Sequence, residues 1–218
     1  RLTSHTAATV RSMRRMPLIV GGAVATVAVA VGLNVAVFGL VHRALLAAPA
    51  HVVDPARVFT LGFGAPDEDN PRATMTSTSY VAFRAIRENV AAKSSAAAFQ
   101  RSAATILVGG DQRNANAMLV SGNYFDVLGA RPLLGRVLGA GDDESGATPP
   151  AVILTHAFWR SVLQEDSGII GRRMKIAGIE YTVAGVMPRG FSGHTTAAVD
   201  VFVPFAAAMR DTPGWDRQ

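Results

Sequence analysis

The chain contains no cysteine, so it can form neither a disulfide framework nor a thiolate metal site. Lysine occurs only at Lys93 and Lys175 against abundant arginine, a pattern of compositional bias, and no G-x-x-x-x-G-K-[ST] segment exists to cradle nucleotide phosphates. Any use of nucleotide energy therefore requires another polypeptide. The longest absence is of charge itself. Between Pro17 and Val41 no charged side chain occurs, whereas Arg11, Arg14 and Arg15 precede that run with no acid to balance them.

That uncharged run is 25 residues long, about 37 Å as a helix rising ~1.5 Å per residue, enough to cross a hydrocarbon core of roughly 30 Å with some tilt. Arginines are retained on the cytoplasmic side, so residues 1–16 are expected in the cytoplasm and the bulk of the chain across the membrane. A cleavable signal peptide is the rival, because Ala48-Pro49-Ala50 has an A-x-A form. The apolar run exceeds the roughly 7–15 residues of a signal core, and proline within the cleavage site is unfavourable. Gly22, Thr26, Ala30 and Asn34 recur every fourth residue and form one face. Small residues with an amide at one end suit packing against other membrane helices; the alternative is that alanine and glycine are simply common in such helices.

The formal net charge of +5 is mostly this topology signal, since four of the 21 basic residues lie in 1–16 and the remainder is nearly neutral. No basic patch of the kind nucleic acid requires stands out. The chain begins with Arg and not Met, so an N-terminal fragment is expected. The expected organisation is a cytoplasmic basic segment (1–16), a transmembrane helix with its extension (17–47) and an extracytoplasmic domain (48–218).

Within that domain, Arg57–Phe63 alternates like a strand. Tyr80, Phe83, Ile86 and Val90 sit at helical spacing behind Ser77, Thr78 or Ser79 as N-cap. Strands are expected at Ser95–Gln100, Ala104–Val108 and Asn114–Val120, with Gly109-Gly110-Asp111 as a turn. A short helix at Asn123–Leu128 ends on Gly129, and Arg131-Pro132 prevents continuation. Gly139–Pro150 reads as a loop. Ala151–Leu154 is a strand, and Thr155 caps a helix carrying Phe158, Trp159 and Val162. Met174–Ile176 and Tyr181–Val186 form a hairpin across Ala177-Gly178, and Val199–Val203 is a last strand. Elements alternate without the spacing of a doubly wound sheet, so the class is α+β, mixed and largely antiparallel.

Chemistry-bearing patterns are few. Gly190-Phe191-Ser192-Gly193-His194 glances at a nucleophile elbow, but its glycine spacing is wrong and no helix follows. The acidic runs Asp67–Asp69 and Asp142–Glu144 lack the form of a calcium loop and are expected to be solvated. His5, His42, His51, His156 and His194 are scattered and expected at the surface or in caps. No catalytic residue, cofactor or metal ligand is assigned.

The stretch Ser121-Gly122-Asn123-Tyr124-Phe125-Asp126-Val127-Leu128-Gly129-Ala130-Arg131-Pro132-Leu133-Leu134-Gly135-Arg136 resembles the SxNYFxxLGxxPxxGR signature of MacB-like periplasmic core domains. In family order follow Val152–Arg160, Ile170-Gly171-Arg172, Tyr181–Phe191 and Asp200–Pro204. Gly32-Leu33-Asn34-Val35-Ala36-Val37-Phe38 resembles the end of the first membrane helix of the FtsX-like permeases that carry this domain. The overall look is that of their duplicated orphan subgroup.

The resemblance implies an ABC transporter permease subunit in the bacterial inner membrane, working with a separate ATPase subunit, a second permease copy and a periplasmic adaptor. It also implies that the periplasmic domain is incomplete at Gln218 and that three further membrane helices would follow. Under it, the face Gly22, Thr26, Ala30 and Asn34 packs against those helices, and Arg11, Arg14 and Arg15 lie near the ATPase or the lipid surface. The signature residues themselves build a fold: Gly129 and Pro132 stop a helix, Gly135 permits a tight turn, and Phe158 and Trp159 fill a core. The competing readings are a single-pass anchored binding module without an ATPase and, if the anchor is cleaved, a secreted hydrolase built on Ser192.

Overall fold

A computed structural model describes residues 17–41, 50–64, 74–75, 78–91, 94–143, 149–195 and 197–209. The chain divides into two units, Arg1–Ala47 and Ala48–Gln218. In the first, helix α1 (Pro17–Val41) is apolar on every side, and its side chains from Gly21 to Val41 are all exposed. A helix with no polar face and no protein cover is suited to lipid. Arg11, Arg14 and Arg15 lie outside the described residues.

The second unit opens with a 3₁₀ turn, Pro55–Arg57, and a two-residue pairing of β1 (Phe63–Gly64) with β2 (Thr74–Met75). The strand expected over Arg57–Phe63 does not form. Residues 58–62 run unpaired, with Phe59 79% and Leu61 57% exposed. Alternation sets which side chains a strand would share on one face; it does not supply a partner edge. Helix α2 (Tyr80–Val90) starts where its spacing indicates, with the Ala82 N–H donating to Ser79 Oγ at 3.2 Å. Phe83 is its buried contact.

A long hairpin follows, β3 (Phe99–Val108) and β4 (Asp111–Val120), turning on Gly109 and Gly110 at φ +61° and +95°. The two strands expected over 95–108 are thus one, because Gln100, Arg101 and Ser102 stay exposed and do not interrupt the ladder. Then come α3 (Tyr124–Leu128), β5 (Leu134–Gly135), β6 (Ala151–Leu154), α4 (His156–Leu163), β7 (Arg173–Ile176), β8 (Ile179–Val186), β9 (Val201–Pro204) and α5 (Phe205–Ala208). Thr155 caps α4, its hydroxyl accepting the Phe158 N–H at 3.3 Å.

The sheet order is β5-β8-β6-β9-β4-β3-β7, and β7 also pairs with β8, so the sheet closes into a ring. Pairs β4–β9 and β6–β8 are parallel and the others antiparallel, in keeping with a mixed, largely antiparallel α+β domain. All six ring strands contribute to one core, exemplified by Ile106, Leu119, Leu154, Ile176, Val183 and Val203, which Phe158 and Trp159 of α4 complete. A second core lies on the other face of β4, β6 and β9, where Met118, Ile153 and Phe202 meet Tyr124, Phe125 and Leu128 of α3. Being covered on both faces explains why β6 and β9 read as continuous apolar runs.

Candidate functional site

The signature segment 121–136 is where the domain's separate parts are tied together. The Ser121 hydroxyl accepts the Ala98 N–H at 3.0 Å and donates to Asn123 Oδ1 at 2.8 Å, while Asn123 Nδ2 donates to the Ala96 carbonyl at 2.8 Å. These three bonds fix the entry of β3 against the start of α3. Asn123 is thus the cap and tether of the helix and not its first turn. At the other end Gly129 adopts φ +62°, and the Ala130 N–H returns to the Phe125 carbonyl at 2.9 Å.

The C-terminal end of α3 has a further partner. Its Leu128 carbonyl accepts the Val53 N–H at 2.9 Å, and a side chain at Gly129 would come within 2.7 Å of Val53 Cβ. His51 Nε2 donates to the Arg189 carbonyl at 2.9 Å. The first described residues of the domain are therefore bonded both to the signature helix and to the β8–β9 loop. His51 and Asp54 hold left-handed backbone at φ 60° and 50°, a conformation that costs a non-glycine residue about 1–2 kcal/mol.

Gly135 and Gly185 face each other across β5 and β8: a Cβ at Gly135 would collide with the Ala184 carbonyl, and one at Gly185 with that of Arg136. Arg136 forks onto Asp142 and also donates to the Val137 carbonyl at 3.0 Å. Asp142 and Asp143 are not solvated as expected, while Glu144 lies outside the described residues. The Asp142 carboxyl is only 11% exposed; burial alone would raise its pKa, but the Arg136 guanidinium and the Gly139 N–H outweigh it and hold the group below the usual carboxylate range. Asp143 is pushed up by burial, against the opposing pull of the Gly122 and Ala206 N–H groups. Asp67–Asp69 lie outside the described residues.

His194 also departs from expectation, being neither a surface residue nor a cap. Its ring lies tilted against Phe99 at 4.0 Å between centroids, and Nδ1 lies 2.8 Å from the Tyr124 hydroxyl. Burial lowers its pKa and pushes Tyr124 up to about 12. His156 packs edge-on against Trp159, and His5 and His42 lie outside the described residues. Ser192 donates to the Thr195 carbonyl at 2.8 Å, a loop-closing bond with no base beside it.

The helix-face residues Gly22, Thr26, Ala30 and Asn34 all lie on α1. Thr26 Oγ1 donates to the Gly22 carbonyl at 2.9 Å, which satisfies its hydroxyl within the helix. That leaves Asn34 as the member of this face whose side-chain polarity has no such outlet among the described residues. An open groove of about 300 Å³ beside Arg101, Asn116 and Val199 stands at the small end of ligand pockets. No group of three or more His, Asp or Glu that could hold a metal occurs among the described residues.

The profile of the MacB-like periplasmic core domain family matches residues 21–218. A search of curated proteins found no significant match. Among solved structures, the chain is similar to the periplasmic region of MacB from Actinobacillus actinomycetemcomitans, with TM-score 0.51 and 16% identity over 70% of this chain and 67% of that one. It is also similar to the extracellular domain of the noncanonic ABC-type transporter YknZ from Gram-positive bacteria (TM-score 0.43, 19% identity, 53% of this chain and 56% of that one). A domain of a putative permease protein from Porphyromonas gingivalis gives TM-score 0.47 and 13% identity over 66% of this chain and 59% of that one. At 16% identity the likeness to the MacB periplasmic region is one of fold. The family match spans nearly the whole chain, including the signature whose polar side chains tie the domain together, and the chain belongs to the MacB-like periplasmic core domain family.

Proposed function

We propose that the chain is the N-terminal part of an ABC transporter permease subunit of the MacB/FtsX type. In this reading α1 crosses the bacterial inner membrane, residues 1–16 face the cytoplasm, and the domain from residue 48 stands on the far side. A separate ATPase subunit drives the membrane helices, and the domain follows them, for export or for mechanical signalling, with a second permease copy and a periplasmic adaptor as further partners. Gly22, Thr26, Ala30 and Asn34 pack against neighbouring helices, and Arg11, Arg14 and Arg15 sit at the ATPase or the anionic lipid surface. The observation that carries the reading is the bonding of Val53 to the signature helix: the segment leaving the membrane helix is pinned to the domain's core, as mechanical coupling requires and a passive anchor does not.

Topology is tested directly, because the chain has no native cysteine. Single variants Ser4→Cys and Gln112→Cys are probed in cells with a membrane-impermeant maleimide. Gln112→Cys is expected to label in intact cells and Ser4→Cys only after permeabilisation; the reverse pattern overturns the orientation. Affinity purification of the tagged chain from its native membranes then separates coupling from the anchored binding module: a co-purifying ABC ATPase subunit supports coupling, and its absence favours the module.

A further inference from the structure

The β8–β9 loop, described over 187–195 and 197–200, crosses the second core, and two of its fastenings lie between its ends. Near its start the Arg189 carbonyl accepts from His51. Near its middle His194 enters an aromatic recess formed by Phe99 of β3, Tyr124 of α3 and, beyond them, Phe202 of β9. Gly193 makes the approach possible: at φ +92° it has no side chain to meet the Tyr124 oxygen, which a Cβ would approach within 2.6 Å.

The recess offers the His194 ring a partner at one nitrogen only. Tyr124 O accepts the His194 backbone N–H at 3.2 Å and lies 2.8 Å from Nδ1, with Met118 Sδ at 3.6 Å as the alternative acceptor of its proton. Whichever way that proton points, His194 Nε2 is buried with no hydrogen-bond partner. A cationic ring would bury a net charge with Nε2–H unmatched, whereas a neutral ring protonated at Nδ1 leaves only a lone pair unmatched there, so the charged form is the costly one in a low-dielectric site.

Among the described residues no carboxylate relieves this. Tyr124 is the titratable group in contact, and it keeps its proton throughout the relevant range. Asp126 on α3 is exposed, and the Asp200 carboxylate ahead of β9 is held by the Asn116 N–H at 2.8 Å. Arg101 on β3, Arg113 and Asp111 toward the far end of β4, and Arg189 on the loop itself set no charge against the ring; burial is the one cause of its shift. β9 carries no charged residue. The half-buried Asp143 carboxyl shifts upward, so its titration does not destabilise the fold as pH falls.

We propose that the β8–β9 loop is an acid-released latch: neutral His194 closes it on α3, and protonation requires Nε2 to reach water, which lifts residues 190–195 off the signature helix and uncovers Phe99 and Tyr124. Because the histidine's folded value is depressed, the closed state is fully favoured above the ordinary 6.5 and loses ground as pH falls through the lower folded value. The same loop carries the acceptor of His51, so opening reaches the segment that follows α1. The proton is the ligand, and the latch stands on the geometry of the recess whether or not the transport reading holds.

Hydrogen–deuterium exchange of the full chain in lipid nanodiscs, at pH 7.5 and 5.0 with intrinsic rates corrected, tests it. The Phe191 and His194 amides, bonded to the Pro188 carbonyl and the Tyr124 oxygen, are expected to lose protection by up to about tenfold per pH unit as pH falls from the ordinary 6.5 toward the lower folded value, while β4 and β9 amides hold theirs. His194→Gln, which cannot take up a proton, is expected to exchange at the same rate at both pH values. Unchanged wild-type protection, or pH dependence surviving in His194→Gln, overturns the latch. Should that variant unfold, side-chain ¹⁵N resonances of the wild type decide: a His194 that titrates while its loop stays protected also refutes it.

Discussion

Replacing Gly135 with alanine isolates how tightly the signature is joined to the sheet. Two costs can be separated. Gly135 holds φ +70°, which costs an L-residue about 1–2 kcal/mol. Its Cβ would also collide with the Ala184 carbonyl, which is backbone within β8 and cannot rotate away. Relief means separating β5 from β8 and losing the Arg136 N–H bond to Ala184 O at 2.9 Å, with a buried acceptor left short at about 1–3 kcal/mol. Together these give a loss of about 2–5 kcal/mol for Gly135→Ala. Gly109 supplies the control, since its φ is +61° but nothing lies within 4 Å of a Cβ there. Gly109→Ala should therefore cost only the conformational share, about 1–2 kcal/mol. Urea unfolding of the full chain in mild detergent, followed by tryptophan fluorescence, reads the difference. With a slope of about 2 kcal/mol per molar, Gly135→Ala should unfold roughly 1 M earlier than Gly109→Ala. Equal midpoints would refute the claim that close approach of β5 to β8, and not backbone handedness alone, demands the glycine.

Three other outcomes are expected. Ser121→Ala should cost about 1–3 kcal/mol, because the Ala98 N–H and Asn123 Oδ1 both lose their partner inside a buried site; an unchanged urea midpoint would mean that water replaces the hydroxyl. The Asp142 carboxyl has a depressed pKa, so its contribution is present above the ordinary 3.8 and is lost as pH falls through the folded value. Since Arg136 is 59% exposed, that contribution is about 1 kcal/mol after solvent screening, and Asp142→Asn should remove it together with the matching slope of stability between pH 4 and lower values. In α1, Asn34→Leu should insert into bilayers as well as the wild type yet weaken association between copies by about 0.6–2 kcal/mol, measured by energy transfer between labelled chains; equal transfer would leave the amide without an interface.

Local features of this fold were legible because their causes are local. Thr155 caps α4 through a bond to Phe158 three residues on, and the Ala177-Gly178 turn brings Ile176 opposite Ile179. The signature was legible as a pattern, since Gly129 and Gly135 sit at positive φ wherever this chain turns. Features set by distant partners were not. His194 meets Tyr124 across 70 residues of sequence, and spacing alone carries no sign of that meeting. Closure of the ring depends on Ile106 and Leu107 pairing with Ile176 and Lys175, strands that are weakly patterned and far apart in the chain. The Arg57–Phe63 alternation misled for the same reason: its period is real, but the ring leaves it no edge. Asp142 was the nearest miss, because Arg136 is only six residues away, yet their contact needs the 3₁₀ turn at Ala140–Asp143, which an acidic loop does not announce.

What joins these observations is the treatment of the chain just before β1. A flexible tether transmits no pull until it is drawn out, and each slack residue can absorb up to about 3.3–3.6 Å of displacement. Residues 51–54 offer no such slack: His51 and Asp54 occupy left-handed backbone, while His51 is bonded to Arg189 and Val53 to Leu128. Backbone of that kind persists only where surrounding contacts over-determine it. Displacement arriving along the chain at residue 50 is therefore delivered to Leu128, and Leu128 belongs to the helix that Ser121 and Asn123 fasten to β3. On the proposed transport reading, the Val53–Leu128 bond and the Ser121 and Asn123 ties are the route by which a pull on residues 51–54 would enter the ring.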